Sequence, residues 1–95
     1  MDMQIYKKGE KTMFQEIYVI DEHEELTEEL KKLFAKEEKL KFRQIETKNA
    51  KMIFKNLPQL IIINDDTIDK DVIEVCEEIR KNEDNNIIPI IVVSS

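Results

Sequence analysis

The sequence has few of the residues that mark disulfide-bonded, loop-rich or low-complexity proteins. Its 95 residues include one Cys, one Gly, two Pro and no Trp. A single cysteine, Cys76, excludes a disulfide framework within the chain and a Cys-based metal site. We expect it to be a small apolar residue of a helix. The scarcity of Gly and Pro argues against a loop-rich chain, and the length predicts one small domain.

Long apolar runs and clustered positive charge are also missing. No run approaches the roughly 20 apolar residues of a membrane-spanning helix, and the first residues lack the apolar segment of a signal peptide. Charged residues make up 38% of the chain, and the net charge is -6. Nucleic acids and anionic membranes are bound through clustered positive charge. We therefore expect a cytoplasmic protein whose domain binds neither nucleic acid nor membrane.

Short aliphatic runs alternate with amphipathic segments along the chain. The aliphatic runs, which predict strands, are residues 16–20, 40–45, 60–63 and 87–93. Apolar side chains at helical spacing predict helices in residues 26–37, 47–57 and 71–81. This β-α-β-α-β-α-β order predicts a parallel sheet with helices on both faces. Residues 1–13 have weak periodicity and are predicted to be an extension that precedes a domain of residues 14–95.

The run at residues 60–63 is the most informative part of the sequence. It contains four large apolar residues, follows Pro58, and leads directly into Asn64, Asp65 and Asp66. An unbroken apolar run of this kind is typical of a strand that is buried on both faces of a sheet. In open parallel sheets, ligands bind outside the carboxyl ends of the strands. We therefore predict a site around Asn64.

Three segments of the chain resemble the receiver domain of bacterial response regulators, the phosphorylated module of two-component signalling. They are residues 17–22, residues 58–80 and residues 89–95. The resemblance covers residues 16–95 and implies an α/β, flavodoxin-like fold with sheet order 2-1-3-4. Because the sequence stops after the fourth strand, we expect the fifth strand and last helices of the family to be missing. The implied partners are signalling proteins, either a histidine kinase or an output domain of the same protein.

The resemblance also implies roles for single residues. In the family, an Asp at the end of the third strand accepts a phosphoryl group, an acidic pair after the first strand helps hold Mg²⁺, and a hydroxyl after the fourth strand binds the product. Asp21 and Glu22 match the acidic pair, and Ser94 matches the switch hydroxyl. Asn64 stands at the acceptor position, and an amide cannot form an acyl phosphate. We therefore expect an unphosphorylated signalling module that acts through protein contacts, rather than an enzyme.

Two alternatives to this interpretation stay open. Asp65 could accept the phosphoryl group instead of Asn64, although successive side chains of a strand point to opposite faces. The chain could also be the regulatory part of a larger signalling enzyme, such as a diguanylate cyclase. In either case, a weakly held Mg²⁺ is predicted near Asp21, Glu22 and Asp66, because hard cations prefer carboxylate oxygens.

The expected absence of a fifth strand predicts self-association. The apolar strand at residues 87–93 would be an exposed edge of the sheet, and such edges pair with other chains. The apolar face of the helix at residues 26–37 would lose its usual neighbour. We therefore expect a homodimer formed through one of these two elements, unless residues 1–13 cover the gap.

Overall fold

A four-stranded sheet forms the centre of the computed structural model, which describes residues 15–50, 58–81 and 88–95. The strands are β1 (Gln15–Ile20), β2 (Leu40–Ile45), β3 (Leu60–Asn64) and β4 (Ile90–Val93). The helices are α1 (Glu25–Leu33) and α2 (Val72–Arg80). The strand order is β2-β1-β3-β4, and every neighbouring pair is parallel. The predicted α/β class, the parallel sheet and the 2-1-3-4 order are confirmed.

The core lies on the two inner strands, β1 and β3. Ile20, Ile61 and Ile63 have no exposed surface, and Tyr18 is 6% exposed. Against one face of these strands, Val75 and Ile79 of α2 pack as part of the same apolar cluster. Helix α1 lies against β2. The crossovers β1–α1–β2 and β3–α2–β4 run in opposite directions along the sheet, so right-handed connections put α1 and α2 on opposite faces. Burial on both faces explains the unbroken apolar sequence of β3.

Helix α2 closely matches the predicted 71–81, whereas helix α1 ends before its predicted end at residue 37. Helix α2 begins after Asp71, whose side chain accepts a hydrogen bond of 2.7 Å from the Ile73 amide and caps the helix. Helix α1 is shorter than the predicted 26–37, because the chain turns after Leu33 through a hydrogen bond from the Glu37 amide to the Phe34 carbonyl. The side chain of Leu33 is 77% exposed. Phe34 still packs against Phe42 of β2, with the ring centroids 5.8 Å apart, but the next residues include Lys36, Glu37 and Glu38, which add no apolar face for a further helical turn.

The other predicted elements are partly outside the described residues. The predicted helix at 47–57 begins as a 3₁₀ turn at residues 47–50, and the rest of it lies outside the described residues, as does the extension at residues 1–13. The strand predicted at 87–93 is observed as β4 from Ile90 onward. Pro89 precedes it, and Ile88 is buried before the strand begins.

Candidate functional site

The carboxyl ends of β1 and β3 bring Asp21 and Asn64 together. Asp21 directly follows β1, and Asn64 is the last residue of β3. Ile20 is the register partner of Ile63, so the next residue of each strand reaches the same edge of the sheet. The Asn64 Nδ2 donates a hydrogen bond of 3.2 Å to the Asp21 Oδ2. The acceptor position of the receiver pattern is therefore an amide whose donor group is directed at a carboxylate.

The carboxylate of Asp21 is buried and accepts three hydrogen bonds. Asp21 is 1% exposed. Its Oδ1 accepts from the Thr67 hydroxyl and, at 3.0 Å, from the His23 backbone amide. Its Oδ2 accepts from Asn64. A buried charge is costly unless hydrogen bonds replace its hydration, and these three donors supply that replacement.

Thr67 is a central residue of this site that the sequence did not predict. It lies three residues after Asn64, in the turn that follows β3. Its hydroxyl donates to Asp21 and accepts a hydrogen bond of 3.1 Å from the Glu22 amide. The hydroxyl therefore joins the end of β1 to the turn after β3. The only signal for it in the sequence was a Thr within an acidic turn, which does not predict its partner.

The carboxylate of Glu22 is directed toward a different segment. Its Oε2 accepts a hydrogen bond of 2.7 Å from the Thr47 amide and another from the Thr47 hydroxyl. Thr47 opens the 3₁₀ turn after β2, so Glu22 satisfies a backbone donor at the start of that turn. Gln44, near the end of β2, donates a hydrogen bond of 2.8 Å to the Asp21 carbonyl. The second acid of the pair therefore serves the β2 side of the edge.

The remaining predicted site residues lie in the turn after β3 and at the end of β4. The Asn64 Oδ1 accepts from the Asp66 amide at 3.1 Å, and the Asp66 Oδ2 accepts from the Ser95 amide at 2.9 Å. Asp65 is exposed, and its amide donates to the Val93 carbonyl at 2.9 Å. Ser94 is exposed. Within the described residues, no hydrogen bond joins the Ser94 hydroxyl or the Asp65 carboxylate to Asn64.

The three carboxylates predicted to hold Mg²⁺ each have a separate set of partners. A hard cation requires several oxygen ligands directed at one point. Asp21 binds Thr67 and Asn64, Glu22 binds Thr47, and Asp66 binds the Ser95 amide. Residues 15–50, 58–81 and 88–95 contain no group of three or more His, Cys, Asp or Glu side chains arranged to hold a metal ion. The Mg²⁺ site stays a prediction, and the function proposed below does not require it.

Over the part of the chain that the structure describes, no helix has the length and apolar character needed to cross a membrane. The chain was compared with protein-family models, with curated proteins and with solved structures, and none of them matches it.

Proposed function

We propose that the chain is a receiver-like signalling module that is not switched by aspartyl phosphorylation and that acts through protein contacts. The resemblance of residues 16–95 supports the class, and the parallel sheet of order 2-1-3-4 is consistent with it. The observation that carries the proposal is Asn64 at the end of β3, hydrogen-bonded to Asp21. The proposed partners are signalling proteins, either a histidine kinase or an output domain.

The amide of Asn64 lacks the chemistry of a phosphoacceptor. Covalent phosphoryl intermediates of this type form on a carboxylate oxygen, which carries negative charge and a free electron pair. The amide nitrogen has its electron pair delocalised into the carbonyl, and here it donates to Asp21. The amide oxygen accepts from the Asp66 backbone. Both polar ends of the side chain are therefore used within the fold.

The surrounding hydrogen bonds support a structural role for this edge of the sheet. The Thr67 hydroxyl connects Asp21 to the Glu22 amide, and the Glu22 carboxylate continues the connection to Thr47. These contacts join the end of β1 to the turns after β3 and β2. A network in which each polar group has a partner holds one arrangement of the backbone. This arrangement suits a module that presents a constant surface to its partners.

An intact-mass measurement tests the absence of phosphorylation. The full chain is incubated with acetyl phosphate and Mg²⁺ and then weighed, and we expect no mass gain. A stoichiometric gain of one phosphoryl group would contradict the proposal. In that event, the same measurement on Asp65→Asn decides whether Asp65 is the acceptor, because this variant loses the mass gain only if Asp65 carries the phosphoryl group.

We also propose that the module forms a homodimer through β4 or α1. Large apolar side chains on both elements are exposed: Ile91 is 48% and Val92 is 45% exposed on β4, and Leu33 is 77% exposed at the end of α1. Unpaired apolar strand edges are sites of association between chains. Light scattering at micromolar concentration is expected to give the mass of two chains, and a stable monomer would contradict the dimer.

A further inference from the structure

A groove of about 1140 Å³ runs between α1 and the outer edge of β2. It exceeds the roughly 300–1,000 Å³ that is typical of small-molecule sites. Five consecutive residues of β2, 40–44, form one wall. Successive side chains of a strand alternate between the two faces. Five consecutive lining residues therefore mean that the groove follows the backbone edge of β2.

The backbone edge of β2 that faces this groove has no strand neighbour in the described sheet. β2 is the first strand in the order β2-β1-β3-β4, so it pairs with β1 only. The Lys39 carbonyl accepts a hydrogen bond of 2.8 Å from the Gln15 amide of β1, and the Ile45 carbonyl accepts one of 3.0 Å from the Asp21 amide directly after β1. In a parallel ladder, alternate residues bond to the same neighbour. The amide and carbonyl groups of Phe42 and Gln44 are therefore directed outward, toward the groove.

The unpaired charge of the groove is negative. Five glutamates and three basic side chains line it. Two of the basic residues, Lys31 and Arg43, form ion pairs of 3.5 Å with Glu28 and Glu16. The lining glutamates without an ion pair among the described residues are Glu24, Glu37 and Glu38. A positively charged partner complements this surface.

The inner wall of the groove has two further features. The rings of Phe34 and Phe42 lie 5.8 Å apart between centroids and give the groove an apolar contact surface. Thr27 also lines the groove, is 2% exposed, and has a hydroxyl with no hydrogen-bond partner within the described residues. Buried hydroxyls nearly always have a partner. An apolar wall, an unpartnered hydroxyl and an open strand edge together fit a bound chain segment.

We infer that this groove binds an extended, basic segment of a partner protein, which adds to β2 as a further strand. Strand addition obtains its affinity from main-chain hydrogen bonds and its specificity from alternate side chains. Here the Phe42 and Gln44 backbone supplies the hydrogen bonds, and the glutamates select basic side chains. The inference deepens the proposed function, on which it rests, by naming the surface and the chemistry of the partner.

The probe for this binding mode is a peptide of alternating Lys and Val, compared with one of alternating Glu and Val. Binding to the full chain is followed by amide chemical shifts. We expect saturable binding of the Lys peptide only, with the largest shifts in β2 and α1. Two N-methylated forms then test strand addition, one methylated on each alternate set of residues. Only the set whose amides face β2 is needed, so one form is expected to bind and the other to lose binding.

Two double variants with the same change of net charge test the role of the groove glutamates. Glu37→Lys with Glu38→Lys reverses two charges in the groove, and we expect binding of the Lys peptide to weaken by at least about tenfold. Glu25→Lys with Glu29→Lys reverses two exposed charges on α1 that do not line the groove. This control is expected to change the affinity by less than about twofold, because these side chains do not line the groove and exposed charges are screened by salt.

Several results would overturn the inference. They are equal loss in both double variants, equal binding of both N-methylated forms, and equal binding of the Glu peptide. Failure of the Lys peptide to bind would also overturn the inference. It would do so even if the groove is filled by a second copy of the chain or by residues of the same chain. Sedimentation of the full chain identifies the second copy. These outcomes leave the phosphorylation test untouched, since a mass gain on acetyl phosphate treatment depends on a carboxylate at the end of β3 or in the turn after it, and no residue of that segment lines the groove.

Discussion

Replacing Asn64 by Asp is the substitution that examines the site most directly. Asn64→Asp restores the carboxyl of the receiver pattern and removes the donor that binds Asp21 at 3.2 Å. Two carboxyl groups would then lie side by side, and one of them is 1% exposed. Like charges at this distance disfavour the ionised pair. We expect the variant to be less stable than the parent chain, by an amount that depends on pH.

The size of the effect follows from the geometry. Two unit charges 3.2 Å apart repel by about 5 kcal/mol at an effective dielectric constant of about 20. The cost is limited because one carboxyl can bind a proton instead, which at pH 7 costs about 4 kcal/mol for a group that titrates near pH 4. The protonated carboxyl can donate to its neighbour and so replaces the lost amide donor. We therefore expect a loss of about 3–4 kcal/mol at pH 7.

The sign of the pH dependence distinguishes this cause from simple loss of a contact. The folded variant holds a proton that the unfolded chain releases above about pH 4. Its stability is therefore highest near pH 4 and falls as the pH rises toward 7, by up to about 1.4 kcal/mol per unit. Asn64→Ala, the control, removes the donor without adding a charge. It should cost about 1–3 kcal/mol at every pH in this range.

Urea denaturation followed by circular dichroism measures both variants and the parent at several pH values between 4 and 7. Adding Mg²⁺ provides a second readout. A divalent cation that binds the folded carboxyl pair stabilises the variant, whereas the parent chain should respond less. A deficit in Asn64→Asp that is independent of pH and equal to that of Asn64→Ala would refute the reasoning. It would show that the two side chains are not adjacent in solution.

Three other substitutions or modifications test separate parts of the fold. Asp71→Ala should lower the free energy of unfolding by about 1 kcal/mol in urea denaturation, because it removes the cap on the Ile73 amide. Asp69→Ala, in the same exposed loop, should stay within about 0.5 kcal/mol, and equal losses would contradict the cap. Thr27→Val should raise the stability by about 1 kcal/mol by removing an unpartnered buried hydroxyl, whereas Thr27→Ser should not. Burial raises the pKa of the Cys76 thiol above its usual value. Alkylation by iodoacetamide near pH 8 should therefore be slower than that of a free cysteine peptide, and a faster reaction would contradict this.

The parallel α/β class could be predicted from the sequence because it depends on local patterns, whereas the strand order 2-1-3-4 was implied by the resemblance to receiver domains. The unbroken apolar run at 60–63 requires a strand covered on both faces, and alternation with amphipathic segments requires parallel pairing. The ends of elements were harder to predict. Helix α1 ends at Leu33 although Phe34 continues the apolar spacing. The spacing of apolar residues could not predict this end, since it does not show whether the fold buries a further helical turn.

The sequence predicted where the candidate site lies but not which hydrogen bonds form within it. The apolar run at 60–63 predicted the end of β3, and the resemblance to receiver domains implied that Asn64 lies beside Asp21. The role of Thr67 could not be predicted, because its partners are 45 and 46 residues away along the chain. Hydroxyl groups donate and accept in many directions, so no spacing rule connects Thr67 to Asp21. The path of the Glu22 side chain toward Thr47 was equally unpredictable.

The bond from the Thr47 amide to Glu22 gives this edge of the protein a reporter of local opening. The Thr47 amide donates to a side chain 25 residues away, not to a helix or strand partner. Its hydrogen therefore exchanges with solvent when the end of β1 and the turn after β2 separate, even if the sheet stays intact. The amide hydrogens of the inner strands β1 and β3 exchange only when the core opens. Comparing the exchange rate of the Thr47 amide with the rates of these strands would measure how independently the carboxyl ends of β1 and β2 fluctuate.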